Sequence, residues 1–207
     1  MRPWEYNPEL TKERLIRVAQ LIERGRNDAV DRHEPSIGGD SWTRGVCAYS
    51  FAKHQIMQAA GTPGFEWLSA IKEGMRFQFG IGKVPMRFWR GDLAEPSVGI
   101  AAATPMEQFL LDLEPGIPTA GVLFRIGIST DDEGAMLEAC FAALRNGAAE
   151  TIWPIPLADA DPLVVVLDDT RPEGRELPPP IIGERSEDDT QEGASEQRFD
   201  REQHKPA

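Results

Sequence analysis

Between Gly74 and Asp92 the chain reads GMRFQFGIGKVPMRFWRGD, with apolar and polar residues alternating on both sides of a central glycine. A period of two is the signature of extended backbone, whose successive side chains point to opposite faces of a sheet. Phe77, Phe79 and Ile81 alternate with Arg76, Gln78 and Gly80; Val84, Met86 and Phe88 alternate with Pro85, Arg87 and Trp89. The pattern predicts a hairpin with strands over 75–81 and 84–90, joined at Gly82 and Lys83. One face would be apolar, and the other would carry Arg76, Arg87 and Trp89. A sheet with one apolar face needs a second layer to cover it.

Helices upstream can supply that layer. Over 7–26, Asn7 suits a cap, Pro8 the first helical position, and Leu15, Val18, Leu21 and Ile22 an apolar stripe that Gly25 would end. A second helix over 42–60, capped by Asp40 or Ser41, would bury Trp42, Val46, Tyr49, Ala52, Ile56 and Ala59. A third is expected from Thr62-Pro63 to Gly74, burying Trp67, Leu68 and Ile71.

Downstream of the hairpin, 95–103 reads as a loop or weak strand. Thr104-Pro105-Met106-Glu107 spells a capping box and opens a helix carrying Phe109, Leu110 and Leu113. Residues 121–129 alternate as a strand. Residues 135–144 fit helical spacing through Met136, Leu137, Cys140, Phe141 and Leu144, yet they lie between the turn at 131–134 and Asn146-Gly147, a hairpin signal. A three-strand meander is the preferred reading, with Pro154 and Pro156 placing its last strand at an edge. The apolar run 163–167 suits a buried strand.

Together these elements predict an α+β domain over 1–168, its N-terminal helices packed on a mostly antiparallel sheet built from hairpins. From Asp169 the composition turns polar and acidic around Pro178–Pro180, and 169–207 reads as a disordered acidic tail. An N-terminus too polar for a secretory signal, and two widely separated cysteines, Cys47 and Cys140, point to a cytoplasmic protein with free thiols. No apolar run is long enough to span a bilayer, so no membrane partner is expected.

The formal net charge of −12 opposes broad binding to nucleic acid or anionic membrane. Within 72–90, however, Lys72, Arg76, Lys83, Arg87 and Arg90 face only Glu73. Guanidinium groups beside an exposed tryptophan suit oxyanions, stacked bases or acidic peptides. The expected function is therefore that of a non-enzymatic binding or adaptor protein. It would hold an acidic protein segment or nucleic acid through Arg76, Lys83, Arg87, Trp89 and Arg90, without a cofactor. The 184–192 tail segment would compete for the same face.

Enzymatic signals are weaker. Gly80-Ile81-Gly82-Lys83 lacks the longer loop, the Ser/Thr and the helix of a phosphate-binding motif. Cys47 and His54 share a helix face but lie about 10 Å apart along the axis. His33 and His54 lack zinc-ligand spacing. Asp168-Asp169 after an apolar run, with Asp131, supports the alternative of a metal-assisted hydrolase or phosphoryl-transfer enzyme. A second alternative is an interaction subunit whose apolar patch includes Trp4, Trp42, Trp67 or Trp153.

Overall fold

The computed structural model describes residues 1–92, 95–105, 107 and 121–158. The chain divides into units 1–168 and 169–207, and the description below concerns the first. The strand expected at 163–167, the Asp168-Asp169 pair, the helix beyond Glu107 and the acidic tail lie outside the described residues.

The helices are α1 (Pro3–Tyr6), α2 (Lys12–Asp31), α3 (Ser41–Ala59) and α4 (Val98–Ala101). The strands are β1 (Leu68–Lys72), β2 (Gln78–Ile81), β3 (Val84–Arg90), β4 (Val122–Thr130), β5 (Met136–Arg145) and β6 (Ala148–Pro154). They form a six-stranded sheet in chain order, antiparallel throughout except between β3 and β4. N-terminal helices packed on a mostly antiparallel sheet make this an α+β fold, as the patterning predicts. The β3–β4 pair is the parallel one. It sets Met86 opposite Phe124 and Arg87 opposite Arg125.

The alternation fixes the main core. Phe77, Phe79, Ile81, Met86, Phe88, Phe124, Ile126, Ile128 and Phe141 share one buried cluster with Leu15, Val18, Ile22, Ala52 and Ile56 of the two long helices. Several helix boundaries differ from expectation. Thr11, not Asn7, caps α2, its hydroxyl accepting from Arg14 N at 3.3 Å. Asn7 instead terminates α1 and accepts from Glu9 N. Gly25 does not end α2 but lies against α3, and the helix continues to Asp31.

Asp40 caps α3, as predicted, accepting from Thr43 N at 2.7 Å. Burial in α3 begins only at Ala48, however, and Trp42 is left 73% exposed. The third expected helix is absent. Gly61 and Gly64 take positive φ, turns occupy 62–67, and Leu68–Lys72 adds to the hairpin as β1. The first hairpin strand likewise starts at Gln78, so Arg76 belongs to the preceding turn.

Asn146 and Gly147 both adopt left-handed φ, 53° and 84°, the requirement of a type I′ hairpin turn. That turn makes 136–145 a strand and places β6, with Pro154, at the sheet edge.

Tyr49 ties α3 to the entry of β2. Its hydroxyl donates to Met75 O at 3.0 Å and accepts from Phe77 N at 3.1 Å. Tyr49→Phe removes both bonds while keeping the ring, which packs on Phe88. We expect a loss of about 1–2 kcal/mol in urea denaturation with an unchanged m-value.

Candidate functional site

The five hairpin residues expected to form a basic surface are not brought together as one set. Arg76 and Lys83 are exposed, but they lie in different turns. Lys83 precedes β3 and Arg90 ends it, which separates them by about 20 Å of strand. Arg87 and Trp89 are each only 7% exposed. The polar face of the hairpin is therefore not a water-facing basic surface, a correction with a specific physical cause: the segment around α4 covers it.

Arg87 donates to Gly99 O at 3.1 Å. Beside it Arg125 donates from Nε to Ile100 O at 3.0 Å and from Nη2 to Ala102 O at 3.5 Å. Arg125 also forms a fully buried, bidentate pair with Glu107, at 2.6 and 3.1 Å. Glu107 accepts from Thr104 N while Thr104 Oγ1 accepts from Glu107 N, the reciprocal bonds of the predicted capping box. Gln78 completes the network by donating to Thr104 Oγ1 at 2.7 Å. Trp89 packs into a smaller cluster on the same face with Leu123, Ala142 and Leu144. These arginines hold chain to sheet.

Of the five, Trp89 and Arg90 stand beside a depression. An apolar groove of about 410 Å³ runs between the first turns of α3 and the carboxyl ends of β3 and β4, its lining including Trp42, Val46, Tyr49, Met75, Phe88 and Arg90. Met75 is 84% exposed and Trp42 73%, so two large apolar side chains meet solvent at its rim. A second depression of about 390 Å³ shares Ser41, Arg90 and Ile128 with the first, and adds Arg44, Ser129, Thr130, Asp131 and Asp132. The two depressions adjoin at these shared residues, the first lined mostly by apolar side chains and the second by polar and charged ones.

No protein-family model, curated protein or solved structure matches this chain. The chemistry of the groove must therefore speak through its own residues.

Arg26 forms part of its wall and is only 4% exposed. Its Nε and Nη2 donate to Gly134 O at 3.2 and 2.8 Å. Burial, then the nearby charges of Arg90 and Arg44, push its pKa down to about 10, against an opposing pull from Asp131. Arg26 is thus still a cation at neutral pH, but one crowded by like charge. Arg44 donates to Asp132 O at 2.8 Å. Asp131 accepts from Ala135 N at 2.8 Å, which closes the β4–β5 turn.

Arg26, Arg44 and Met75 are the site residues that the sequence reading missed, whereas Trp42 is among the tryptophans expected at an apolar interface. One signal was available. Arg26 falls on the helical stripe of Leu15, Val18, Ile22 and Ala29, all buried, and a charge on an apolar stripe calls for a partner. The remaining candidates do not converge on this groove. Trp4 packs edge-on against Trp153, and Trp67 donates to Gly64 O beneath Arg14. Cys47 and His33 line a separate pocket of about 220 Å³, and Cys140 is buried in the sheet, its thiol pKa raised by burial and by Glu138. Among the described residues no three His, Cys, Asp or Glu groups are placed to hold a metal, and no helix is long and apolar enough to cross a membrane.

Proposed function

We propose that this chain is a binding protein that seats an acidic segment of a protein partner in the groove between α3 and the ends of β3 and β4. The supporting observation is the juxtaposition, in one depression, of exposed Trp42 and Met75 with the guanidinium of Arg90 and the buried cation of Arg26. Exposed tryptophan and arginine are the residue types that dominate binding energy at protein interfaces. An apolar trough beside them selects a ligand bearing both an apolar side chain and a negative charge. Nucleic acid suits the place less well: the cationic cluster is compact, and the net charge of −12 repels an extended polyanion.

The test uses a fluorescein-labelled dodecapeptide in which phenylalanine and leucine alternate with glutamate, titrated with the full-length chain at low salt. Trp42→Ser and Arg90→Glu should each weaken binding at least tenfold. Both side chains are exposed, so thermal unfolding should be nearly unchanged. Failure of the peptide to bind, or wild-type affinity in either variant, would overturn the reading. So would tighter binding of an oligodeoxythymidine of matched length.

A further inference from the structure

The charged end of the groove carries more information than its sign. Taken together, the two adjoining depressions are lined by three guanidinium groups, Arg26 on the apolar side, Arg44 on the charged side and Arg90 on both, and by two carboxylates, Asp131 and Asp132, on the charged side. The excess is a single positive charge. Asp131 is committed to the β4–β5 turn through Ala135 N, so it cannot swing away from an arriving ligand without opening that turn. Asp132 is exposed, and its main-chain oxygen anchors Arg44. The cations are therefore set in place with their counter-charges beside them.

We infer that the groove is selective for one carboxylate next to a bulky apolar side chain, and discriminates against a phosphoryl group at the same position. This rests on the proposed peptide-binding function and refines it. A glutamate side chain brings one negative charge to match the single surplus. A phosphoserine brings about 1.5–2 negative charges at neutral pH, and the second finds no unmatched cation while facing Asp131 and Asp132. Arginine clusters that receive phosphoryl groups do so by supplying guanidinium forks in excess. Here the flanking aspartates remove that excess. The apolar trough supplies the other half of the specificity, because a carboxylate alone leaves Trp42 and Met75 uncovered.

Three acetylated and amidated peptides, free of terminal charge, separate the possibilities. Each carries a single Phe anchor followed by Glu, Gln or phosphoserine in an otherwise neutral sequence, and binding to the full-length chain is followed by anisotropy at pH 7. The Glu peptide should bind at least tenfold more tightly than the Gln peptide and at least fivefold more tightly than the phosphoserine peptide. Asp132→Asn should erase most of the last difference by adding one net positive charge. Equal or tighter binding of the phosphoserine peptide to the wild-type chain would overturn the selectivity and leave the groove as the binding site. Binding of none of the three would overturn the peptide-binding function, and this inference with it.

Discussion

Replacing Arg125 with methionine is expected to remove about 3–5 kcal/mol of folding stability, as breaking a buried ion pair from one side does. The Glu107 carboxylate would stay fully buried, keeping only its bond from Thr104 N. The carbonyls of Ile100 and Ala102 would lose the donors that hold the α4 segment to the sheet. Burial is the largest influence on the Arg125 pKa and lowers it, Glu107 opposes it through its charge and its hydrogen bond, and Arg87 lowers it further. Taking both charges out of water offsets much of their attraction, so a buried pair contributes geometry more than net stability. The double variant Arg125→Met/Glu107→Gln should therefore recover a large part of the loss, since glutamine still reaches Thr104 N and neither position then carries a charge. Urea denaturation of the two single variants and the double variant gives the coupling directly. A single Arg125→Met variant within 1 kcal/mol of wild type would show that the network holds nothing.

This network also marks the boundary of what the sequence could reveal. The alternation of 77–88, the Thr104 capping box, the Asp40 cap and the Asn146-Gly147 turn are local patterns, and each appears in the structure where the residues place it. Local pattern also put Arg87 and Trp89 correctly on the face opposite Phe79 and Phe88. It could not tell what covers that face. The answer depends on pairing β3 with β4 in parallel, so that Arg87 and Arg125 lie side by side and grip the same stretch of intervening chain. Basic residues on a strand suit a solvated surface, because arginine is seldom buried unless paired, and here the partner lies beyond the hairpin. The groove was obscured for a related reason. Trp42 and Val46 fit an apolar helical stripe, and only the position of α3 relative to the sheet leaves them in solvent. The third helix failed because Leu68–Lys72 could join an existing hairpin edge, which outweighs a proline and a capping threonine.

The contact between α2 and α3 gives the other large expectation. A Cβ at Gly25 would lie 2.3 Å from Ala52 N, 2.5 Å from Ala52 Cα and 2.6 Å from Phe51 C. All three are main-chain atoms, so no rotamer change relieves the clash and the helices must separate. Helix propensity alone favours alanine over glycine by about 1 kcal/mol. Gly25→Ala should nevertheless destabilise by roughly 1–3 kcal/mol, because overpacking opposes and exceeds that gain. Trimming the neighbour should not rescue it: Ala52→Gly removes a side chain, whereas the clash is with backbone. Gly45, also within α3, has open space where its Cβ would stand. There, alanine should stabilise by about 0.4–1 kcal/mol. Opposite signs at two helical glycines in urea denaturation would identify Gly25 as the spacer between helices. A stabilising Gly25→Ala would mean the crossing tolerates a wider approach. The same spacing positions Arg26 on α2 relative to Trp42 on α3, so Gly25→Ala should also weaken binding of the acidic dodecapeptide under conditions where the variant remains folded.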